Sequence, residues 1–298
     1  MALTQAPRPR AGGRFYKAHG LGNDYLVFEE GDAWLLSPAA VERVCDRFRG
    51  PGGDGIVFLA ADAPGGVFRL RMFNPDGSEF ERSGNGLRVL ASHLARGARV
   101  DTHPFTVEVG GDHVAMTVHA VRGGVHDVSV AMGRARVGPG AVELDPGALD
   151  GDGRLAGPGG EPLDVTPVSV GNPHLVVWHP DPDDVALRRL GPFLTSHPAL
   201  AHGANVQLAR VAGPNACRAL IWERGVGRTS ASGTSSCAVA VAAVARGFLP
   251  AGDVAVVMDG GELSVSVAAS LDVVLRGPVE EVCEGVLTDA FVADLDRV

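Results

Sequence analysis

Apolar and polar positions along this chain change period at well-marked places. Residues 15–29 begin apolar, break at His19-Gly20-Leu21-Gly22-Asn23-Asp24 and resume as Tyr25-Leu26-Val27-Phe28. That pattern predicts two strands joined by a glycine turn with Asn23 and Asp24 on it. Across 38–48, Val41, Val44, Cys45 and Phe48 fall at helical spacing behind Ser37 as N-cap and Pro38 at the first position. The next strand is Ile56-Val57-Phe58-Leu59. Residues 68–73 alternate as a further strand and end in the turn Asn74-Pro75-Asp76-Gly77-Ser78. Residues 107–137 read as several strands, with Val114, Met116 and Val118 alternating and Val125, Val128 and Val130 close behind. Residues 145–162, rich in Gly, Pro and Asp, read as an exposed excursion. In the second half come Val168-Ser169-Val170, the turn Gly171-Asn172-Pro173-His174 and the strand Leu175-Val176-Val177-Trp178. A helix is predicted over 185–194 and strands over 205–209, 219–222, 254–258, 263–267, 273–275 and 279–287. The class is mixed α/β (α+β), with short strands and few helices.

Two stretches share one layout. Ser83-Gly84-Asn85-Gly86 opens a helix that runs to His93-Leu94-Ala95-Arg96-Gly97, and Ser232-Gly233-Thr234 opens another that runs to Ala245-Arg246-Gly247. Each serine is a good N-cap, and the free N–H groups of the first helical turn favour a carboxylate or other anion. The two serines are 149 positions apart in a chain of 298 (232 − 83 = 149). A repeat at half the chain length predicts two similar lobes, with a small acid held in a cleft between one Ser-Gly turn and the other. A duplication kept for packing alone is the other explanation.

Composition narrows the partners. At 298 residues the chain exceeds a typical domain. The expected division is a disordered tail over 1–13, one lobe over 14–133 plus 278–298 and a second over 134–277. The residues are 45% hydrophobic and only 5% aromatic, so the core must be built from Val, Ala and Leu. A net charge of −9 without a Lys/Arg run argues against nucleic acid and anionic membrane, leaving a small molecule as partner; a homodimer is left open. Cys45, Cys217, Cys237 and Cys283 are far apart, form no CxxC and read as buried thiols of a reducing, cytoplasmic compartment. The first 13 residues lack the apolar core of a signal peptide, and no apolar run reaches the ~20 residues that cross a bilayer.

Four chemistries are set aside. Gly50, Gly52 and Gly55 satisfy G-x-G-x-x-G, but that fingerprint leaves a strand and opens a helix, whereas this loop leaves a helix and opens a strand. Ten histidines show no paired ligand spacing, so no metal is expected. There is no G-x-S-x-G elbow for acyl transfer. Cys237 reads as core and not as a nucleophile.

What remains is a group of polar residues at strand ends: Asn23, Asn74, Asn172, His174, Asn205, Glu223 and Arg224, together with the two Ser-Gly turns. Asn favours turns for local reasons, so each alone has a structural explanation. Together, their amides suit an amino acid's ammonium and carboxylate, and Arg224 suits a second carboxylate in bidentate fashion.

From about residue 15 to the C-terminus the sequence resembles the diaminopimelate epimerase family. The resemblance is carried by Lys17-Ala18-His19-Gly20-Leu21-Gly22-Asn23-Asp24, Phe73-Asn74-Pro75-Asp76-Gly77-Ser78-Glu79, Gly84-Asn85-Gly86, Gly171-Asn172-Pro173-His174, Asn205-Val206 and Glu223-Arg224-Gly225. It implies two pseudosymmetric lobes, each a β-sheet rolled around a central helix, and isomerisation of an amino or imino acid with neither pyridoxal phosphate nor metal. It also implies that Asn23, Asn74, Asn172, Asn205, Glu223 and Arg224 hold substrate, with Gly84, Asn85, Gly233 and Thr234 at the two turns.

The departure from the family lies in the proton-transfer groups. The family's cysteines precede the glycines that match Gly84 and Gly233; here Ser83 and Ser232 stand there. A thiol has a pKa of about 8.5 and is tuned to act as a base near neutrality, whereas an unassisted serine hydroxyl is far too weak an acid to supply an alkoxide. The serines therefore need an adjacent base, for which His174 and Glu223 are the candidates. Three readings follow. One is an isomerase with an altered reaction, epimerisation of another amino acid or migration of a double bond; the phenazine-pathway isomerase resembles this fold and works without the cysteine pair. The others are a diaminopimelate epimerase, or its cysteine-to-serine trapped variant, and a non-catalytic binding homologue.

Overall fold

The computed structural model describes residues 8–61, 67–80 and 82–298. Its α-helices among these are α1 (Pro38–Cys45), α2 (Gly84–Arg96), α3 (Asp184–Thr195), α4 (Gly233–Ala245) and α5 (Asp289–Leu295). The chain divides into two compact units, Met1–Val130 with Pro278–Val298, and Ala131–Gly277.

The first unit is built around α2. Strands Arg10–Gly20 and Asn23–Glu30 form a hairpin in which Gly20 pairs with Asn23. Leu21 (φ 55°) and Gly22 (φ 88°) take left-handed conformations between them, which the Gly at the second position makes possible. The hairpin continues in parallel to Ile56–Leu59, then antiparallel to Phe68–Phe73 and in parallel again to Phe105–Val109. Asp112–Arg122 and Val125–Arg134 follow antiparallel. The C-terminal part of Asp272–Val286 pairs with the first strand, Arg14 opposite Val286, and the Glu281 N–H donates to the Gly124 carbonyl at 3.0 Å beside the strand Val125–Arg134. The sheet thereby rolls round α2, whose residues 84–92 are all buried. Outside it, α1 and α5 cover a cluster containing Phe28, Trp34, Leu36, Val41, Val44 and Leu295.

The second unit repeats that order. Hairpin Val165–Ser169/Pro173–Trp178 runs in parallel to Asn205–Gly213, with His174 opposite Asn205, and then antiparallel to Ala216–Glu223. Ala216–Glu223 pairs with the short strand Gly227–Thr229 and in parallel with Gly252–Met258; Gly261–Val267 and the first part of Asp272–Val286 complete the set. These strands enclose α4, where Ser235 to Ala243 are buried and the apolar side chains are no larger than Val. Small side chains on every face let strands approach it from all sides. The outer helix α3 seals a cluster of Leu187, Leu190, Leu194, Val206 and Leu208. Both units thus run hairpin, outer helix, parallel strand, antiparallel strand, short strand, central helix, parallel strand and return strands. The mixed α/β class is as the sequence indicates.

Four details differ from the expectations. The tail stops short of residue 13: Arg8 donates to the Leu36 carbonyl at 2.8 Å, and Arg10–Gly13 already lie in the first strand. Gly12 and Gly13, which suggest disorder by composition, sit where the register shifts between Ala11 and Phe15, and the Gly12 carbonyl accepts the Trp34 indole N–H at 3.1 Å. The part of the expected tail over residues 1–7 lies outside the described residues. Helix α1 ends at Cys45 and not at 48, because the Asp46 carboxylate accepts from the N–H groups of Phe48 (2.7 Å) and Arg49 (3.0 Å). Phe48 is therefore turned out, 99% exposed. Of the four thiols, Cys45, Cys217 and Cys237 are buried but Cys283 is exposed. The segments 273–275 and 279–287 belong to one strand, Asp272–Val286, and α5 and Gly227–Thr229 had no expectation attached.

Candidate active site

In the first unit, Ser83 caps α2 in extended conformation, and its Oγ accepts the Gly86 N–H at 3.1 Å. The first N–H groups of any helix lack intrahelical acceptors, so those of Gly84 and Asn85 point out of the turn as donors. The Asn85 amide donates to Asn23 twice, to its carbonyl at 2.7 Å and its Oδ1 at 2.9 Å, tying the hairpin turn to the second residue of α2. Behind it, Arg88, 1% exposed, donates to Asn85 Oδ1 at 3.0 Å and to the Pro278 carbonyl at 3.2 Å. Asn23 donates from Nδ2 to Asp54 Oδ2 at 2.8 Å. Asp54 shares Arg47 with Asp24, which also meets Lys17 at 3.0 Å. Burial works to raise the Asp24 pKa, but hydrogen bonds from Arg47 and Lys17 prevail and hold it below the ordinary carboxylate value.

In the second unit, Ser232 caps α4, with the Ser235 N–H at 3.5 Å from its Oγ. Asn172 donates from Nδ2 to Thr234 Oγ1 at 3.5 Å, again tying a hairpin turn to the second residue of the central helix. His174 is wholly buried, with Nε2 at 2.9 Å from Asn172 Oδ1 and Nδ1 at 3.0 Å from the amide nitrogen of Gln207. Desolvation drives its pKa down to about 3; the Gln207 hydrogen bond opposes that and the charge of Arg224 adds to it. The ring is neutral near pH 7 and both its nitrogens are engaged. His174 thus holds Asn172, and the structure does not place it as a free base beside a serine. Asn205 receives the Arg224 N–H on Oδ1 at 2.9 Å and donates to the Pro173 carbonyl at 3.2 Å, joining two strand ends.

The correspondence is positional. Asn23 and Asn172, Asn85 and Thr234, and Asn74 and Glu223 are each 149 apart, the same offset as Ser83 and Ser232 (172 − 23, 234 − 85, 223 − 74). Asn74 follows the strand Phe68–Phe73. Its Nδ2 donates to Ser78 Oγ at 2.9 Å and its N–H to the Ser78 carbonyl at 2.9 Å, so it closes its own turn. Glu223 ends the strand Ala216–Glu223, half-buried, and the exposed Arg224 reaches the His202 carbonyl with its guanidinium. Sequence reasoning missed Arg47, Asp54, Arg88 and Gln207. Two of these carried a signal, since Arg88 interrupts Leu87 and Val89 on a helix that buries both, and Gln207 interrupts Val206 and Leu208.

The diaminopimelate epimerase family model matches residues 15–138 and 166–282. A diaminopimelate epimerase of Desulforudis audaxviator is 39% identical over 274 residues, covering 91% of this chain and 98% of the relative. Among solved structures, a predicted epimerase from Pseudomonas aeruginosa shares the fold with a TM-score of 0.68 at 22% identity, over 93% of this chain and 99% of that one. A phenazine biosynthesis protein of the PhzF family from Bacillus anthracis does so with a TM-score of 0.64 at 14% identity, over 92% and 98%. On the extent of the family match and of the identity, this chain belongs to the diaminopimelate epimerase family and is an isomerase.

Proposed function

We propose that this isomerase moves a proton on a small amino or imino acid, without an organic cofactor or metal, and that the Ser83 and Ser232 turns are its acid-binding groups. The observation that carries the reading is the duplicated latch: in each unit a hydroxyl-bearing N-cap is followed two residues on by a side chain hydrogen-bonded to the hairpin asparagine. Duplicated donors suit a reaction in which a carboxylate is neutralised while charge develops on the carbon beside it. The backbone N–H groups of Gly84, Asn85, Gly233 and Thr234 supply that stabilisation, and Asn23, Asn172, Asn205 and Arg224 orient the acid.

Proton transfer is assigned with serine, not cysteine, at both caps. A hydroxyl serves as donor and hydrogen-bond partner but is too weak an acid to be the base unaided. With His174 neutral and engaged at both nitrogens, the Glu223 carboxylate takes the carbon-bound proton in this proposal. In a double-bond migration the Glu223 carboxylic acid returns the proton to a different carbon. In an epimerisation a second donor, solvent water, protonates the opposite face of the same carbon, and Glu223 releases its proton to the hydroxide so formed. Action on diaminopimelate itself is the second reading, favoured by the 39% identity to a diaminopimelate epimerase.

Incubation with candidate amino acids and unsaturated imino acids in heavy water tests both. Deuterium at the α-carbon supports epimerisation, deuterium along an unsaturated chain supports bond migration, and tight binding without incorporation overturns the catalytic proposal. Gain of diaminopimelate turnover in the double variant Ser83→Cys, Ser232→Cys favours the second reading.

A further inference from the structure

Beneath the Ser232 turn, hydrogen bonds donated in one direction run from buried Gln207 through buried His174 and half-buried Asn172 to Thr234. Gln207, 0% exposed, donates from Nε2 to His174 Nδ1 at 3.0 Å and to Ser235 Oγ at 3.0 Å. A ring nitrogen that accepts from an amide N–H carries no proton, so the neutral imidazole bears its hydrogen on Nε2 and donates to Asn172 Oδ1 at 2.9 Å. With its Oδ1 turned to His174, Asn172 directs its Nδ2–H group to the turn, where Thr234 Oγ1 lies at 3.5 Å.

The reverse polarity is also self-consistent. With the Gln207 amide turned over, its oxygen would accept from His174 Nδ1–H, Nε2 would accept from Asn172, and Asn172 would present its oxygen instead. The two states differ in what is left unmet in the core. As found, the unmatched atom is Gln207 Oε1, a carbonyl without a partner among the described residues. Turned over, it would be an amide N–H group, and buried orphan donors are rarer than under-satisfied carbonyls.

We propose that Gln207 is a positioning residue that locks His174 in its Nε2–H tautomer, so that Asn172 presents a hydrogen-bond donor, and not an acceptor, at the Ser232 turn. The group this turn takes is then anionic or otherwise acceptor-only, such as a carboxylate. That consequence rests on the proposed function, whereas the tautomer does not. The arrangement also explains why a polar side chain interrupts the strand Asn205–Gly213 between buried Val206 and Leu208.

The test is nitrogen NMR on the full chain with ¹⁵N-labelled histidine, the His174 ring being assigned by its loss in His174→Gln. The expected result is a protonated Nε2 and an unprotonated Nδ1; an Nδ1–H tautomer overturns the proposal. In Gln207→Leu the single tautomer should be lost, and if it persists unchanged, Gln207 is not what fixes it. Should that variant fail to fold, Gln207→Met, closer in volume, carries the same two outcomes. A buried residue with only a packing role would leave the ring's tautomer as it was. In the heavy-water assay the folded variant should raise KM about tenfold with a smaller change in kcat, as expected when an orienting group is lost and the proton-moving group remains. If no substrate exchanges but the tautomer behaves as stated, the proposed function fails and the positioning role stands.

Discussion

Ser83 and Ser232 differ in how firmly each holds its own helix. Ser83 Oγ is 3.1 Å from the N–H it caps and Ser232 Oγ is 3.5 Å from its own, which leaves Ser232 the looser hydroxyl and the one more available to a ligand. Replacing Ser83 by Ala should destabilise the protein by about 1 kcal/mol, the ordinary cost of a lost cap, and Ser232→Ala should cost less. Urea unfolding of the two variants checks the order, and equal or inverted losses would contradict it. His174 adds a pH dependence of definite sign. Its folded pKa of about 3 lies below the 6.5 of the free side chain, so between those values the unfolded chain binds the extra proton. The stability it contributes is complete above about pH 6.5 and is lost as the pH falls toward 3, at up to about 1.4 kcal/mol per pH unit. The urea midpoint should therefore drop between pH 7 and pH 5, and His174→Gln should flatten that drop.

At the scale of elements, each central helix is held by what touches its first turn. A Cβ built on Gly20 would lie 2.0 Å from Asn85 Oδ1 and 2.9 Å from an Arg88 guanidinium nitrogen, so the hairpin and α2 approach too closely for any side chain. Gly20→Ala should break the Asn23–Asn85 latch and lower proton exchange at carbon while α2 itself survives; circular dichroism together with the heavy-water assay separates the two effects. Crowding of another kind governs α4. Ala240 is fully buried in a helix packed on all sides, and Ala240→Leu should cost about 1–3 kcal/mol by overpacking, read from the urea midpoint. These elements also show how far the sequence could be read. Strands such as Ile56–Leu59 and Phe68–Phe73, and both caps, were legible because a buried run bounded by turn residues, or a Ser-Gly before small residues, has few other solutions. The end of α1 was not, because the Asp46 side chain competes for the backbone N–H groups while Phe48 keeps the helical period. Nor was the partnership of Asn85 with Asn23 or of Gln207 with His174, since each joins residues far apart in the chain with no local signal of the contact.

For the molecule as a whole, the two units share a fold order but not a covalent plan, and that difference predicts how each behaves alone. Residues 131–277 are continuous and carry their whole strand set, α3, α4 and the chain of bonds from Gln207 through His174 to Asn172. The other unit is interrupted and takes its last strand and α5 from Pro278–Val298. Without that segment, strand Arg10–Gly20 loses the partner it pairs with from Arg14 to His19. Buried Arg88 loses its acceptor on Pro278, and His126, 1% exposed, loses Glu281 at 2.6 Å. A core left with unmet charged and polar groups and an open sheet edge is costly on both counts. A fragment of residues 131–277 should therefore unfold cooperatively in urea and keep the Nε2–H tautomer of His174, whereas a fragment of residues 1–130 should show no cooperative transition until a peptide of residues 278–298 is added. A cooperative 1–130 fragment, or a 131–277 fragment without a transition, would show that the hydrogen bonds and strand pairings within each unit are not what make it fold.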